Sequence, residues 1–433
     1  MANLLEAYAN RLTYADKIYA KNHQGERLTE SKKILIAKCL ENTQRFITEA
    51  MDQSHNGGAT QRGDMGLFTK FSLNLVNCAI PSLIAPDIVM THPMSSMSGY
   101  VSYVKFCAGV DKGDIAEGDV FNDAFRLGRV DEKYTSERVV ETVGADGKFT
   151  PAWTPIVKGA FGEGKDVKVV KKAGGEEFKE FTGEEITGLA EGDRVAYVYD
   201  NVVIPQKNLP LLVAKMDAIP LIAHARRIAI YYSQMAAFQA KTDYGMDLGS
   251  QLSEKAIGQL AYEIDTEVVK LLADNAEADA ELTWSKTLPV GVSKAEHYEG
   301  FAEMVAIAGS KIYNKTQRYQ PNYMLIASDI LPVLGFIKGF TAANVSKVNG
   351  PYFAGTLNGV KVYVSPALEA GEYVLGVNDG DLNCSAAVYA PYMPIVPTQL
   401  LGHADGSMSQ GFSTLYDLKI LNKDLLVKGK VVA

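Results

Sequence analysis

The chain has 433 residues, of which 47% are hydrophobic and 22% are charged, and its formal net charge is -8. This length predicts two or three lobes instead of one small core. The acidic balance argues against a protein that coats nucleic acid by neutralising phosphates, which needs a basic surplus, although it leaves room for a local basic patch.

Targeting signals and metal motifs are missing from the sequence. The N-terminus contains Glu6 and lacks a basic head and an apolar stretch, and no run approaches the roughly 20 apolar residues of a membrane helix. We therefore expect no membrane partner and assembly in the cytoplasm. The cysteines, Cys39, Cys78, Cys107 and Cys384, form no C-x-x-C pair and have no histidine at ligand spacing. They are interpreted as free buried thiols, with disulfides between subunits as the alternative.

The first 70 residues have the pattern of an arm. A helix is predicted from Ser31, which would cap it, to Met51. Its apolar stripe consists of Ile36, Leu40, Thr43, Ile47 and Met51. The polar, glycine-rich stretch Ser54–Gly66 predicts a mobile linker. Because one amphipathic helix cannot bury its stripe alone, it must pack on the body of its own chain or on a neighbouring subunit.

Residues 71–200 have the pattern of strands and hairpins, without a long helix. Phe71–Ile80 is apolar, and Pro81 and Pro86 break any helix that would follow. Residues 109–200 are glycine-rich and charged and have no long helical period, which predicts hairpins with a small inserted β-subdomain. The runs rich in β-forming residues are Val101–Phe106, Val167–Val170 and Val195–Tyr199.

The C-terminal half alternates helices with short strands, which predicts an α+β fold. The alanine-rich segment Ile219–Tyr244 favours a helix, and Asp247 precedes a longer one over residues 248–273. A third helix is predicted at 294–314. The stripe of the long helix is Ile257, Leu260, Ile264, Val268 and Leu271. The predicted strands are Tyr323–Ala327, Val360–Val364, Tyr373–Leu375 and Ala386–Tyr389.

One glycine-rich segment, Gly159–Asp166, resembles a phosphate-binding loop. Its glycines and Lys165 match the Walker A spacing, but Asp166 stands where Ser or Thr should hold magnesium. Glu163 adds a second carboxylate, and the following Val167–Lys172 favours a strand where the motif requires a helix. A glycine-rich hairpin turn is the simpler interpretation, and a nucleotide-binding enzyme is the alternative.

No other catalytic, cofactor or metal site is predicted. None of the histidines has a partner at metal spacing, and no G-x-S-x-G motif supports a catalytic triad. His224, Arg226 and Arg227 form a small basic group before a predicted helix. This group is interpreted as a solvated face with ion pairs, or alternatively as a place of pairing between subunits.

Three ordered blocks resemble the major capsid proteins of T-even and related contractile-tailed phages. The first runs from Ile80 to Tyr103 and contains I-P-S-L-I-A-P-D-I, then P-M-S and a glycine before a strand. Pro86 departs from the family, which usually has an aromatic residue there. The other blocks are Tyr231–Val269, which leads into a long spine helix, and Leu325–Tyr416, which contains Phe353-Ala-Gly355, Gly359–Tyr363, Val388–Tyr392 and Gly411–Tyr416.

The resemblance implies the Hong Kong phage capsid fold and assigns each segment to a lobe. The implied lobes are an N-terminal arm (1–70), a peripheral domain (71–99 and 219–324, with spine helix 248–273), an extended loop with a β-rich insertion (100–218), an axial domain (325–400) and a return to the periphery (401–433).

The resemblance also implies a structural protein without enzymatic activity. Such a protein assembles with itself into hexamers and pentamers that form an icosahedral head in the virion, and it is built in the host bacterial cytoplasm. The implied partners are scaffold, portal, vertex and decoration proteins, and packaged double-stranded DNA held without sequence-specific binding. Some relatives on this fold crosslink a lysine to an asparagine, and the loop contains Lys158, Lys165 and Lys168. The alternative on the same fold is an encapsulin-type compartment.

Overall fold

The computed structural model describes most of the chain. The described residues are 2–22, 25–54, 73, 76, 80–112, 115–118, 134–183, 185–200, 209–316, 318–343, 350–380, 384–398 and 400–432. The predicted linker after Ser54, most of the apolar run Phe71–Ile80 and Cys78 lie outside these residues.

The described α-helices range from single turns to a helix of 28 residues. They are α1 (Ala2–Ala7), α2 (Ala9–Asn22), α3 (Glu30–Ser54), α4 (Ala85–Ile88), α5 (Gln234–Tyr244), α6 (Leu248–Asn275), α7 (Lys294–Thr316) and α8 (Leu331–Leu334). Two single 3-10 turns, Ile80–Ser82 and Lys423–Leu425, accompany them.

The described strands are spread over the chain from residue 90 to residue 432. They are β1 (Met90–Thr91), β2 (Ser98–Ala108), β3 (Arg138–Thr142), β4 (Val167–Val170), β5 (Glu176–Lys179), β6 (Arg194–Val198), β7 (Leu212–Ile222), β8 (His224–Ser233), β9 (Glu277–Ser285), β10 (Tyr323–Ile326), β11 (Phe340–Ala342), β12 (Tyr352–Leu357), β13 (Val360–Val364), β14 (Glu372–Gly376), β15 (Ala387–Pro397), β16 (Leu401–Gly402), β17 (Ser407–Ile420) and β18 (Leu426–Val432).

The chain divides into two compact units. The first, called the body, contains Met1–Val101, Ile219–Lys315 and Tyr319–Ala433. The second, called the insertion unit, contains Ser102–Ala218 with the short piece Thr316–Arg318. The mixture of helices and sheets confirms the predicted α+β class. The lobe boundaries that the resemblance implied stay predictions.

The body contains two sheets. A seven-stranded mixed sheet has the order β11-β12-β13-β10-β14-β18-β9, and a five-stranded sheet has the order β1-β15-β17-β16, with β8 also paired to β17. The largest hydrophobic core combines the larger sheet with the apolar faces of α6 and α7, including Val268, Leu272, Phe301 and Ile312. Burial of these side chains is the main source of stability in this unit.

The insertion unit has a hydrophobic core of its own. Strands β3, β4, β5 and β6 form an antiparallel sheet of order β3-β6-β4-β5. Alternate residues point inward, as in a half-buried sheet, so that Val167, Val169, Val195 and Tyr197 pack with Trp153. These four strands and their core contain no helix within the described residues.

The amphipathic helices follow the prediction closely. The long helix α6 begins after Asp247, whose carboxylate accepts a hydrogen bond from the Ser250 N–H at 3.3 Å. Ser293 and Glu296 exchange hydrogen bonds in a capping box at the start of α7. Helix α3 begins at Glu30, so Ser31 lies in its first turn and is not its cap. Its predicted stripe is buried at Ile36, Leu40, Thr43 and Ile47.

The predicted helix over Ile219–Tyr244 is largely wrong. The first part of this segment completes β7 and forms β8, and only Gln234–Tyr244 is helical. Ile228, Ile230 and Tyr232 pack against α6 while their neighbours face outward, which is the period of two of a strand. Pairing with β17 and this one-sided burial outweigh the helix propensity of the alanines.

Candidate assembly surface

The glycine-rich segment Gly159–Asp166 is closed by its own last residue. The buried Asp166 carboxylate accepts hydrogen bonds from the Gly159 N–H at 2.6 Å and the Phe181 N–H at 3.0 Å, and it lies 3.2 Å from the Lys158 ammonium. Burial would raise the pKa of Asp166, but these hydrogen bonds lower it below the ordinary value.

The geometry of this segment argues against nucleotide binding. In a phosphate loop the backbone N–H groups bind the phosphates, whereas here the Asp166 carboxylate accepts from the Gly159 N–H. Lys165 lies over the Phe178 ring, 5.4 Å from its centroid, and β4 follows where the motif requires a helix. We therefore interpret Gly159–Asp166 as a glycine-rich hairpin turn.

Replacing Asp166 by alanine should destabilise the insertion unit by about 2 kcal/mol, because two backbone N–H groups lose a charged acceptor. Trp153 lies in this unit and Trp284 in the body, and the chain has no other tryptophan. Urea unfolding followed by Trp153 fluorescence in a Trp284→Phe background measures the effect. Lys148→Met, which breaks the exposed ion pair with Glu185, is the control and should cost less than about 1 kcal/mol. Equal stability of the two variants would contradict this role of Asp166.

The predicted basic group lies on strand β8, and its two arginines differ. Arg226 faces α6, where it forms an ion pair with Glu267 at 2.6 Å and lies over the Tyr416 ring. Arg227 points to the other side of the sheet and is exposed. Within the described residues the Arg227 side chain forms no hydrogen bond or ion pair. Arg226 therefore forms an ion pair within the chain, whereas the charge of Arg227 is exposed.

The lysines considered for crosslinking have neighbours within the insertion unit. Lys158 pairs with Asp166, and Lys168 with Glu176 at 2.6 Å.

Cys39 and Cys107 are buried free thiols, and Cys384 is a half-buried one. Burial raises the pKa of the Cys39 thiol to about 12.

Metal-ligand clusters and membrane-spanning helices were both considered for the described residues. No cluster of three or more potential metal ligands was found there. None of the described helices has both the length and the apolarity needed to cross a membrane.

Helix α5 exposes large apolar side chains on the body. None of its 11 residues is buried. The apolar side chains of Met235, Phe238 and Tyr244 are 73%, 68% and 75% exposed. A helix of this length is marginal in water unless an apolar face packs against something. The helix therefore forms a surface that is suited to contact with another protein.

The insertion unit also exposes apolar side chains. They lie on the first part of β7, where Leu212, Val213 and Met216 are exposed. Exposed apolar groups thus occur on both units, each on an element that the rest of its own unit leaves uncovered.

The N-terminal helices pack on the body of their own chain. Leu12, Tyr19, Leu35 and Leu40 share a buried cluster with Leu73, Val76 and Ile80. The Asn42 side chain donates to the backbone oxygens of Met94 and Tyr392, at 2.7 and 2.9 Å. Of the two sequence alternatives for the α3 stripe, packing within the chain is therefore the one observed.

Asp87 joins the N-terminal helices to the first motif block. Its buried carboxylate forms an ion pair with Lys32 of α3 and accepts a hydrogen bond from the Tyr19 hydroxyl of α2 at 2.9 Å. A buried ion pair holds its partners in one geometry and is costly to break. Asp87 therefore links the I-P-S-L-I-A-P-D-I segment to the arm.

Asp265 of α6 holds the same segment from the other side. This fully buried carboxylate accepts hydrogen bonds from the N–H groups of Ile84 and Ala85, each at 3.1 Å. Burial raises the pKa of Asp265 to about 8, against the lowering effect of these hydrogen bonds, and the nearby Asp87 raises it further. The first motif block is thus fixed between the arm and the long helix.

Sequence reasoning missed these two aspartates and the exposure of α5. Asp265 interrupts the apolar stripe of the long helix between Ile264 and Val268, which was the available signal. Nothing in the sequence relates Lys32 to Asp87, which is 55 residues away.

Comparison with known proteins gives a family. The family model described as major capsid protein Gp23 matches residues 65–429. The major capsid protein of Enterobacteria phage T4 is 24% identical, over 92% of this chain and 89% of the relative. Among solved structures, a Microbacterium phage Oxtober96 protein is 9% identical with a TM-score of 0.40, over 80% of this chain and 90% of the other. The capsid of Myoviridae phage XM1 is 7% identical with a TM-score of 0.36, over 53% and 80%.

The family model spans most of the chain and includes the three motif blocks, Ile80–Tyr103, Tyr231–Val269 and Leu325–Tyr416. It confirms the resemblance to T-even phage capsid proteins and, with it, the capsid fold that the resemblance implied. The encapsulin-type alternative shares that fold. The chain belongs to the Gp23 family of major capsid proteins, the structural proteins of the phage capsid.

Proposed function

We propose that this chain assembles into hexamers and pentamers that close into the icosahedral head of a phage and enclose double-stranded DNA. Family membership carries the proposal, and the uncovered apolar surface of α5 supports it. Repeated contacts between different surfaces of identical subunits close into rings and shells. Each contact can be weak, because a closed lattice makes the contacts cooperative.

The lobes take the roles that the resemblance implied. The arm is residues 1–70, and the extended loop with its insertion is 100–218. The peripheral domain combines 71–99, 219–324 and 401–433, and the axial domain is 325–400. The N-terminal helices pack on their own chain, so the arm in this proposal supports the body of its own subunit.

The remaining partners follow from the role of a head shell. Scaffold, portal, vertex and decoration proteins would contact the assembled shell, and the DNA would be enclosed without sequence-specific binding. The net charge of -8 fits a wall that does not bind DNA tightly. The proposal contains no catalytic role, which fits the closure of the Gly159–Asp166 segment by its own carboxylate.

We expect the purified chain to form rings of five or six subunits, or closed shells, as its concentration is raised. Sedimentation velocity gives the size of the assemblies, and negative-stain microscopy gives their symmetry. A chain that stays monomeric at every concentration and ionic strength would contradict the proposal. Native particles should contain double-stranded DNA, whereas particles filled with a cargo enzyme would favour the encapsulin alternative.

A further inference from the structure

The two faces of strand β8 have different surroundings. Ile228, Ile230 and Tyr232 point toward α6 and pack with Leu260 and Phe412. The intervening residues point to the opposite side of the sheet, and all of them are exposed. They are Ala225, Arg227, Ala229, Tyr231 and Ser233. One face of β8 is thus covered by the chain itself and the other is open.

The open face continues across three strands. Tyr231 of β8 pairs with Ser409 of β17, which pairs with Leu401 of β16. Residues directly opposite each other in paired strands lie on the same face of a sheet, so Tyr231 and Leu401 belong to one surface. They are 64% and 56% exposed.

The Tyr231 ring is held in place on this surface. Its hydroxyl donates to the Asp405 carboxylate at 3.1 Å, and the ring lies near the ring of His403. A fixed aromatic side chain loses little conformational freedom on binding, which makes it a good anchor for a protein partner.

Helix α5 begins next to the same hairpin. The Gln234 N–H donates to the backbone oxygen of Gly406 at 2.9 Å, which attaches the start of the helix to the turn between β16 and β17. Met235 and Phe238 follow at a spacing of three residues and therefore lie on one side of the helix. Aromatic residues, methionine and arginine are the residue types enriched at protein interfaces.

Arg227 supplies a charge on the same open face of β8 as Tyr231. It lies on the open face, two residues from Ala229, and has no ion pair or hydrogen bond with the described residues. The chain has 51 acidic and 43 basic residues, so another copy offers carboxylates in excess. A guanidinium in a partly apolar surface matches a carboxylate of such a partner.

We propose that Arg227, Tyr231, Met235, Phe238 and Leu401, called the outer patch, bind a second copy of this chain, with Arg227 paired to a carboxylate of that copy. The carboxylate of Asp405, which borders the outer patch, already accepts hydrogen bonds from the Tyr231 and Ser407 hydroxyls. Binding of patch to patch would therefore bring two arginines together. The contact therefore joins the outer patch to a different surface of the second copy, which is the kind of contact that closes rings. This inference rests on the proposed function.

Methionine oxidation measures the coverage of the outer patch in the unaltered chain. Met235 is highly exposed in the single subunit, whereas Met324 is fully buried in the body. With hydrogen peroxide and peptide mass spectrometry, Met235 should be oxidised about tenfold more slowly in assembled particles than in subunits, because a well-packed interface excludes water. Met324 should stay slow in both states, and added N-acetylmethionine calibrates the oxidant. Equal oxidation of Met235 in particles and subunits would overturn the proposal.

Two variants of Arg227 test the charge. Arg227→Glu should raise the concentration needed for assembly about tenfold, since it opposes a carboxylate with a carboxylate. Arg227→Lys keeps the charge and should assemble nearly as the unaltered chain does. Both changes lie on an exposed face, and urea unfolding checks that they leave the fold intact. Unchanged assembly of Arg227→Glu would sink the outer patch alone, whereas failure of the unaltered chain to assemble would count against the proposed function.

Discussion

Replacing Asp87 by alanine should lower the free energy of unfolding of the body by about 3 kcal/mol, because it leaves the Lys32 ammonium in a buried place without its carboxylate. The variant also removes the acceptor of the Tyr19 hydroxyl. Both lost contacts connect the N-terminal helices to the first motif block. Urea unfolding followed by Trp284 fluorescence, in a Trp153→Phe background, reports on the body because Trp284 packs in its core.

Two controls separate this effect from a general effect of charge removal. The double variant Asp87→Ala with Lys32→Met should be less destabilised than Asp87→Ala alone, since no unpaired buried charge remains. Lys338→Met breaks an exposed ion pair with Glu299 in the same unit and should cost less than about 1 kcal/mol. If Asp87→Ala costs no more than Lys338→Met, Asp87 does not hold the arm in place.

Replacing Asp265 by asparagine should remove a pH dependence from the stability of the body. Burial raises the pKa of Asp265 to about 8, above its ordinary 3.8. Between these values the native chain keeps a proton that the unfolded chain has lost. The contribution of Asp265 to the stability of the body is therefore fully present below about pH 4. It falls as the pH rises toward 8, by at most about 1.4 kcal/mol per pH unit.

Other charged and titratable groups lie close to Asp265. Asp87 of α4 raises the pKa of Asp265, while the Ile84 and Ala85 N–H groups lower it. The pKa of Tyr389 in β15 is raised well above its ordinary value by burial, with smaller effects from Cys39, Tyr416 and Asp265. The two neighbours Tyr389 and Cys39 thus stay neutral between pH 5 and 8. Burial lowers the pKa of His92, so His92 also affects stability in this range, equally in both chains. The difference between Asp265→Asn and the unaltered chain therefore isolates the effect of Asp265.

The measurement is urea unfolding of both chains at pH 5, 6, 7 and 8, again read from Trp284. An asparagine oxygen can still accept from the backbone N–H groups but has no proton to lose. The stability of Asp265→Asn relative to the unaltered chain should therefore rise with pH. Asp279→Asn is the control, because the Lys311 hydrogen bond lowers the pKa of Asp279 and places its effect below pH 4. Parallel curves for Asp265→Asn and the unaltered chain would show that Asp265 does not titrate in this range.

The sequence predicted the elements whose pattern is local. The stripes of α3 and α6 repeat at helical spacing. The predicted face of α3 is buried where side chains are described, and in α6 Leu260, Ile264 and Val268 are buried, whereas Ile257 and Leu271 are only half-buried. The strands Val167–Val170 and Val360–Val364 were predicted to the residue, since short runs rich in valine leave few alternatives. The ordered motif blocks predicted the family for the same reason, because they are read along the chain.

Predictions were less successful where distant parts of the chain decide. The local pattern of β8 favours a helix, whereas its pairing with β17, which joins residues more than 170 positions apart, makes it a strand. The polar contacts of Asp87 and Asp265 join segments separated by 55 and about 180 residues. No spacing rule of helices or strands reaches that far.

The sequence by itself determined the α+β class, the main helices, the motif blocks that belong to the family, and the absence of a recognisable catalytic motif. Tertiary structure alone decided that the arm packs on its own chain and that Asp166 closes the glycine-rich turn. It also decided that Arg226 is paired, while the exposed Arg227 side chain has no ion pair within the described residues. The physical reason is that periodicity along the chain records which face of an element is buried. Which partner covers a face, or leaves it open, depends on contacts that form only when the chain has folded.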